Sequence, residues 1–146
     1  MNLDLQDKYR RICQANGWRC THQRFVLYSF MHGNKCHPGV DEAWQAVRKE
    51  IPSITRESVF RILCEFADRG LIARLDNLSA ARFDSNPRPH GHFICEKCGA
   101  IYDFALPEGF SVSPALEGAT ISNMEVRVTG LCPKHSQGKK KQGKEK

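Results

Sequence analysis

TRESVFRILCEFADRGLIARL, residues 55–75, decides the fold of the N-terminal half. Thr55 can cap a helix over about 56–69, since its hydroxyl can accept one of the orphan N–H groups of a first turn. Val59, Ile62, Leu63, Phe66 and Ala67 recur at helical spacing as its apolar face, and Gly70 closes it. Leu71-Ile72-Ala73-Arg74-Leu75 and Ala80-Ala81-Arg82-Phe83 read as two strands around the turn Asp76-Asn77-Leu78-Ser79. Upstream, a first helix is predicted over 4–15, with Leu5, Tyr9, Ile12 and Cys13 on one side and Asn16-Gly17 at its end. Thr21 caps a second, running to about Phe30, with Phe25, Val26, Ser29 and Phe30 on one side. After the loop 32–39 comes a third over about 40–50, with Val40, Ala43, Trp44 and Val47 as its stripe, broken at Ile51-Pro52-Ser53. Three short helices, a fourth with a polar outer face and a hairpin form a winged helix-turn-helix.

Asp84-Ser85-Asn86-Pro87-Arg88-Pro89-His90 follows, a stiff connector with two prolines. Beyond it the pattern turns to strands, over 92–95, 100–104 and 120–129. In the last, Met124, Val126 and Val128 alternate with Glu125, Arg127 and Thr129.

Charge says little about partners. The net charge is +6, but the last ten residues hold five Lys and one Glu. A Lys-rich end is ordinarily a solvated tail. No run approaches the roughly 20 apolar residues of a membrane span. The polar first residues lack a signal peptide, so a cytoplasmic protein is expected. Seven Cys without an export signal point to metal binding in preference to a disulfide scaffold.

Two donor sets stand out. Cys95-Glu96-Lys97-Cys98-Gly99 and Cys132-Pro133-Lys134-His135 offer three sulfurs and one nitrogen, a tetrahedral set suited to structural zinc. The second contains no thiolate: Asp84, His90, His92 and Asp103. If Cys95 opposes Ala100 across the knuckle, His92 opposes Asp103 on one face of a hairpin. Imidazoles with carboxylates suit Fe(II), Mn(II) or Zn(II). These ligands flank a connector, so binding would be coupled to the angle between two domains. His37, in the loop of the N-terminal half, is a natural fifth ligand.

With these motifs in place the chain resembles the ferric uptake regulator (Fur) superfamily over about residues 5–135. The resemblance rests on His37-Pro38, Ser58-Val59-Phe60-Arg61, Gly70-Leu71-Ile72, Arg82-Phe83-Asp84, His90 through Gly99, Asp103-Phe104 and Cys132-Pro133. It implies a regulatory site at His37, Asp84, His90, His92 and Asp103. Asp at both acidic positions is similar to the peroxide-regulator branch, where bound Fe(II) reacts with hydrogen peroxide, a ligand His is oxidised and DNA is released. Iron-sensing members often carry Asp between the two His residues, where this chain has Gly91. They also have a further His on the last long strand, where it has Asn123-Met124. The family's extra metal site is therefore expected to be absent. His135 replaces a fourth Cys, Phe60 replaces a DNA-reading Tyr, and a shortened stretch before Cys132 implies a truncated helix.

The expected fold is α+β: an N-terminal winged helix over 1–84, a hinge over 85–90, and a Lys-rich disordered tail over 137–146. Between hinge and tail, 91–136 is expected to form a small α/β dimerisation domain with a three-stranded sheet and zinc knuckle. Arg56, Ser58, Phe60 and Arg61 near the start of the fourth helix, with Arg19, are the expected DNA contacts. The expected function is a homodimeric, metal-dependent repressor on palindromic double-stranded DNA, with Zn(II) structural and Fe(II) or Mn(II) regulatory. An iron- or zinc-responsive uptake repressor, a metalloenzyme and a zinc-knuckle interaction module are the rivals. No acid–base constellation or Gly-rich substrate loop favours the enzyme, and no small organic substrate is expected.

Overall fold

Thr55 Oγ1 accepts the N–H of Ser58 at 3.1 Å in the computed structural model and starts the reading helix, α4 (Arg56–Asp68). The structure describes residues 3–76, 78, 80–111, 116–122 and 124–137. The Lys-rich tail beyond residue 137, Asn123 and half of the predicted 76–79 turn lie outside them. Before α4 come α1 (Leu3–Asn16), α2 (His22–Met31) and α3 (Val40–Val47). After it, β1 (Ala73–Leu75) pairs antiparallel with β2 (Arg82–Asp84), Arg74 facing Phe83. The predicted caps hold: Thr21 accepts the N–H of Arg24 at 3.3 Å, and Gly17 and Gly70 sit at positive φ past α1 and α4.

The chain divides into two compact units, Met1–Pro87 and Arg88–Lys146. In the first, Val59, Ile62, Leu63 and Phe66 of α4 are buried against Tyr9, Leu27, Met31, Ala43, Val47 and Phe83. Helix α2 departs from its predicted stripe. Leu27, Tyr28 and Met31 are buried, while Phe25 and Phe30 are only partly so. It packs on more than one side: Tyr9 of α1 lies 5.0 Å from Tyr28, and Arg24 reaches Glu65 of α4 at 2.8 Å. Helix α3 stops at Val47, three residues before its predicted end. Trp44 Nε1 donates to the Ile54 carbonyl at 3.0 Å and holds the turn that follows. Packing outweighs capping here. Leu63→Ala is expected to cost about 2–5 kcal/mol and Thr55→Ala about 1 kcal/mol, read from urea unfolding midpoints.

In the second unit β3 (Gly91–Cys95) is the central strand. It pairs antiparallel with β4 (Ile101–Phe104) and parallel with β5 (Val126–Gly130). The predicted last strand starts six residues late, at Val126. Its parallel partner offers only Gly91–Cys95, so residues before Val126 have no ladder to join. A parallel pair needs a long crossover, usually helical. Among the described residues of 105–125 there is no α-helix.

Candidate metal centres

The loop before α3 is sewn onto β2. Phe83 N–H donates to the Pro38 carbonyl at 2.9 Å, Gly39 bridges Arg82, and Arg82 Nη1 donates to the His37 carbonyl at 3.2 Å. These bonds hold His37 at φ 49°, left-handed backbone disfavoured for a non-glycine residue and more so before proline. Such strain costs about 1–3 kcal/mol and is characteristic of functional positions. The result is that His37 Nε2 lies 3.5 Å from Asp84 Oδ2, with both side chains buried. Asp84 Oδ1 accepts the N–H of Asn86 at 2.9 Å, which orients the carboxylate.

The second unit presents a matching set. His92 faces Asp103 in the hairpin register, as predicted, with Nε2 3.3 Å from Oδ1. His90 lies one residue before β3. Its ring stands 4.4 Å from that of His92, and its Nε2 is 3.6 Å from the same Asp103 oxygen. His90 Nδ1 is 2.7 Å from the Arg88 carbonyl. Only a protonated Nδ1 bonds there, which leaves Nε2 as the donor atom for a metal. Between the two histidines, a Cβ on Gly91 would fall 2.1 Å from Phe104 Cζ. The aromatic ring occupies the place an Asp would need.

At the far end of β3 the four predicted knuckle ligands come together within 4.8 Å of one another. Cys95 ends the strand, and Gly99 N–H closes the turn on its carbonyl at 2.9 Å. Parallel pairing of Cys95 with Gly130 brings in Cys132, and a turn in which His135 N–H donates to the Cys132 carbonyl at 2.8 Å presents the imidazole. Cys98 Sγ is 3.9 Å from Cys132 Sγ; His135 Nδ1 is 3.7 Å from Cys95 Sγ and 3.2 Å from Cys132 Sγ. Tetrahedral zinc with bonds of about 2.0–2.3 Å separates its ligand atoms by roughly 3.3–3.8 Å, so the set fits the ion. The N–H groups of Cys98 and Cys132 donate toward Cys95 Sγ and pull its thiol down to about 5, into the thiolate range at neutral pH.

On the reading helix, Phe60 and Arg61 are exposed, as is Arg19 before α2. Arg56 donates to Asp41 at 2.6 Å, and Ser58 Oγ accepts from Thr55 Oγ1 at 2.9 Å. Glu65 and Cys64 of α4, outside its apolar face, are half-buried. Glu65 pairs with Arg24, and Cys64 Sγ accepts from Arg74 at 3.3 Å, so neither is a simple solvated group. Arg74 was not singled out from sequence; its guanidinium sits 5.5 Å over the Phe60 ring, a contact between strand and helix that spacing does not reveal. Cys13 is buried in the core, while Cys20 and Cys36 are exposed. No described helix is long and apolar enough to cross a membrane.

The sequence pattern of the ferric uptake regulator family matches residues 15–128. The peroxide-responsive repressor PerR of Staphylococcus saprophyticus is 33% identical over 121 residues, covering 80% of this chain and 82% of that protein. Among solved structures, the Helicobacter pylori ferric uptake regulator Fur superposes with a TM-score of 0.68 at 22% identity, over 90% of this chain and 91% of its own. The Campylobacter jejuni peroxide stress regulator does so with a TM-score of 0.60 at 22% identity, over 92% and 99%. The two structures share the fold, and the family match spans most of the sequence: this chain belongs to the ferric uptake regulator family.

Proposed function

We propose that the protein is a homodimeric, metal-dependent transcriptional repressor, with a peroxide-sensitive regulatory site built from His37, Asp84, His90, His92 and Asp103. The observation that carries this reading is a buried imidazole–carboxylate pair in one unit and two imidazoles on one carboxylate in the other. Donor atoms in these groups lie 3.3–3.6 Å apart. Bonds of about 2.1 Å give ligand separations of roughly 3.0–3.4 Å, and a set with no thiolate favours Fe(II) or Mn(II) over the soft ions. In this reading one ion draws on both groups, so its affinity is linked to a single arrangement of residues 1–84 and 91–136 across the hinge at 85–90. A second ion, Zn(II), is held by Cys95, Cys98, Cys132 and His135.

Arg56, Ser58, Phe60 and Arg61 would enter the major groove from the start of α4, with Arg19 on the backbone. Tyr102, Phe104 and Val128 on the sheet are each more than a third exposed. They supply apolar surface for a second copy, whose two-fold symmetry would match a palindromic operator.

When bound, Fe(II) supplies the electrons that reduce hydrogen peroxide beside the imidazoles. The protein's part is to hold Nε2 of His90 and of His37 close to that chemistry. The test exposes the Fe(II)-loaded and Mn(II)-loaded proteins to hydrogen peroxide. The iron form is expected to gain one oxygen atom on the peptide carrying His37 or His90 and to lose DNA binding in step. The manganese form is expected to keep both its mass and its DNA. An iron form that keeps DNA and stays unmodified would favour an iron- or zinc-responsive uptake repressor.

A further inference from the structure

Two sets of polar contacts, joined through the backbone of Asp41-Glu42 in the first turn of α3, lie between the His37–Asp84 pair and the first turn of the reading helix, entirely within residues 1–87, and Arg82 belongs to the first of them. Its Nη1 donates to the His37 carbonyl at 3.2 Å and lies 4.0 Å from Glu42 Oε1. Glu42 Oε2 in turn accepts the Gly39 N–H at 3.0 Å, closing the first turn of α3. The neighbouring Asp41 accepts Arg56 Nε at 2.6 Å, and Arg56 is the first residue of α4. Arg82 also lines a cleft of about 420 Å³ with Arg56, Phe60 and Arg74, between the two helix starts and the β1–β2 hairpin. The same guanidinium therefore touches the backbone of one ligand, shares β2 with another, Asp84, and borders the residues expected to read DNA.

We infer that Arg82 is a positioning residue through which occupancy of the His37–Asp84 pair sets the placement of the α4 N-terminus. This rests on the metal-dependent DNA-binding reading above and adds a route inside one unit to the interdomain linkage. The relay requires residue 37 to be the element that changes conformation. Its positive φ is maintained by contacts, so an ion on its imidazole favours the strained conformer. Release of that conformer moves the carbonyl that Arg82 grips. Arginine suits the task because a planar fork can hold two acceptors in a fixed relation, which a lysine ammonium does not.

The experiment uses duplex DNA selected from a random library by the Mn(II)-loaded wild-type protein. DNA affinity is measured by anisotropy with and without Mn(II), and Mn(II) affinity separately without DNA. Wild type is expected to show a gain of about 5–150-fold from the metal. At saturating Mn(II) that gain should fall at least about fivefold in Arg82→Gln and Arg82→Lys with metal-free DNA affinity nearly unchanged, while Mn(II) affinity also falls because a bond that holds His37 is lost. Asp41→Asn, a surface change that weakens the same relay at its far end, should lower the gain without lowering the thermal midpoint appreciably. Equal loss of DNA affinity with and without Mn(II) would make Arg82 an ordinary phosphate contact and overturn the relay. A full metal gain in both Arg82 variants would do the same. A wild-type protein whose DNA binding ignores Mn(II) would instead overturn the functional reading itself, and the relay with it.

Discussion

Removal of the knuckle metal by chelation, or Cys132→Ser, is expected to melt the β4-β3-β5 sheet while α1–α4 stay folded. The reason is where the apolar burial lies. Among the described residues, every member of the main hydrophobic core belongs to the first unit. In the second, the buried hydrophobic residues among those described are Cys95 and Cys132, two of the proposed zinc ligands. A three-stranded sheet with so little interior must draw its stability from elsewhere. Structural zinc contributes about 10–16 kcal/mol in small domains that fold only with metal. That exceeds what a few half-buried side chains such as Phe93 and Ile94 can supply at about 1.5–3 kcal/mol each. The readout is amide exchange: the N–H of Glu96, which donates to the Gly130 carbonyl at 2.8 Å, and that of Cys95 should lose protection with the metal. Amides in α2 and α4 should keep theirs. Protection of the sheet that survives complete metal removal would refute a zinc-dependent fold for this unit.

The elements legible in advance were those specified by neighbouring residues. Thr21 and Thr55 are side-chain caps, Gly17 and Gly70 are stops, and the apolar face of α4 follows from spacing alone. The His92–Asp103 pairing belongs to the same class, because the Cys95–Gly99 turn sets the hairpin register within a few residues. Other features depend on contacts distant in sequence. Spacing can place His37 in a loop, but its contact with Asp84 follows from hydrogen bonds to Arg82 and Phe83 far along the chain. The burial of Leu27 and Met31 requires knowing that α2 packs on several neighbours, and the late start of β5 requires knowing how short β3 is. Arg74 and Arg82 look like ordinary strand charges until the fold sets one over Phe60 and the other on the His37 carbonyl.

His37→Ala and Asp103→Ala should each abolish the metal-dependent gain in DNA affinity while leaving metal-free binding and the fold intact. Asp103 is exposed, so its removal costs little stability. It does remove the oxygen on which His90 and His92 converge. His37 is buried at positive φ, where alanine leaves the strain in place, so His37→Asn serves as a companion that tolerates this backbone while offering no imidazole. The expected change is a fall in the metal gain from about 5–150-fold to near unity, with the thermal midpoint of the metal-free Asp103 variant close to wild type and those of the His37 variants lowered by the loss of a buried side chain beside Asp84. Metal-stimulated binding at the wild-type level in both variants would remove these residues from the site. The double variant carries the sharper information, since the two residues belong to different units. If one ion draws on both, the second substitution has nothing left to take away, and the double variant should match either single one. Losses in metal affinity that add would mean two separate ions, and linkage between the units through a shared metal would have to be abandoned.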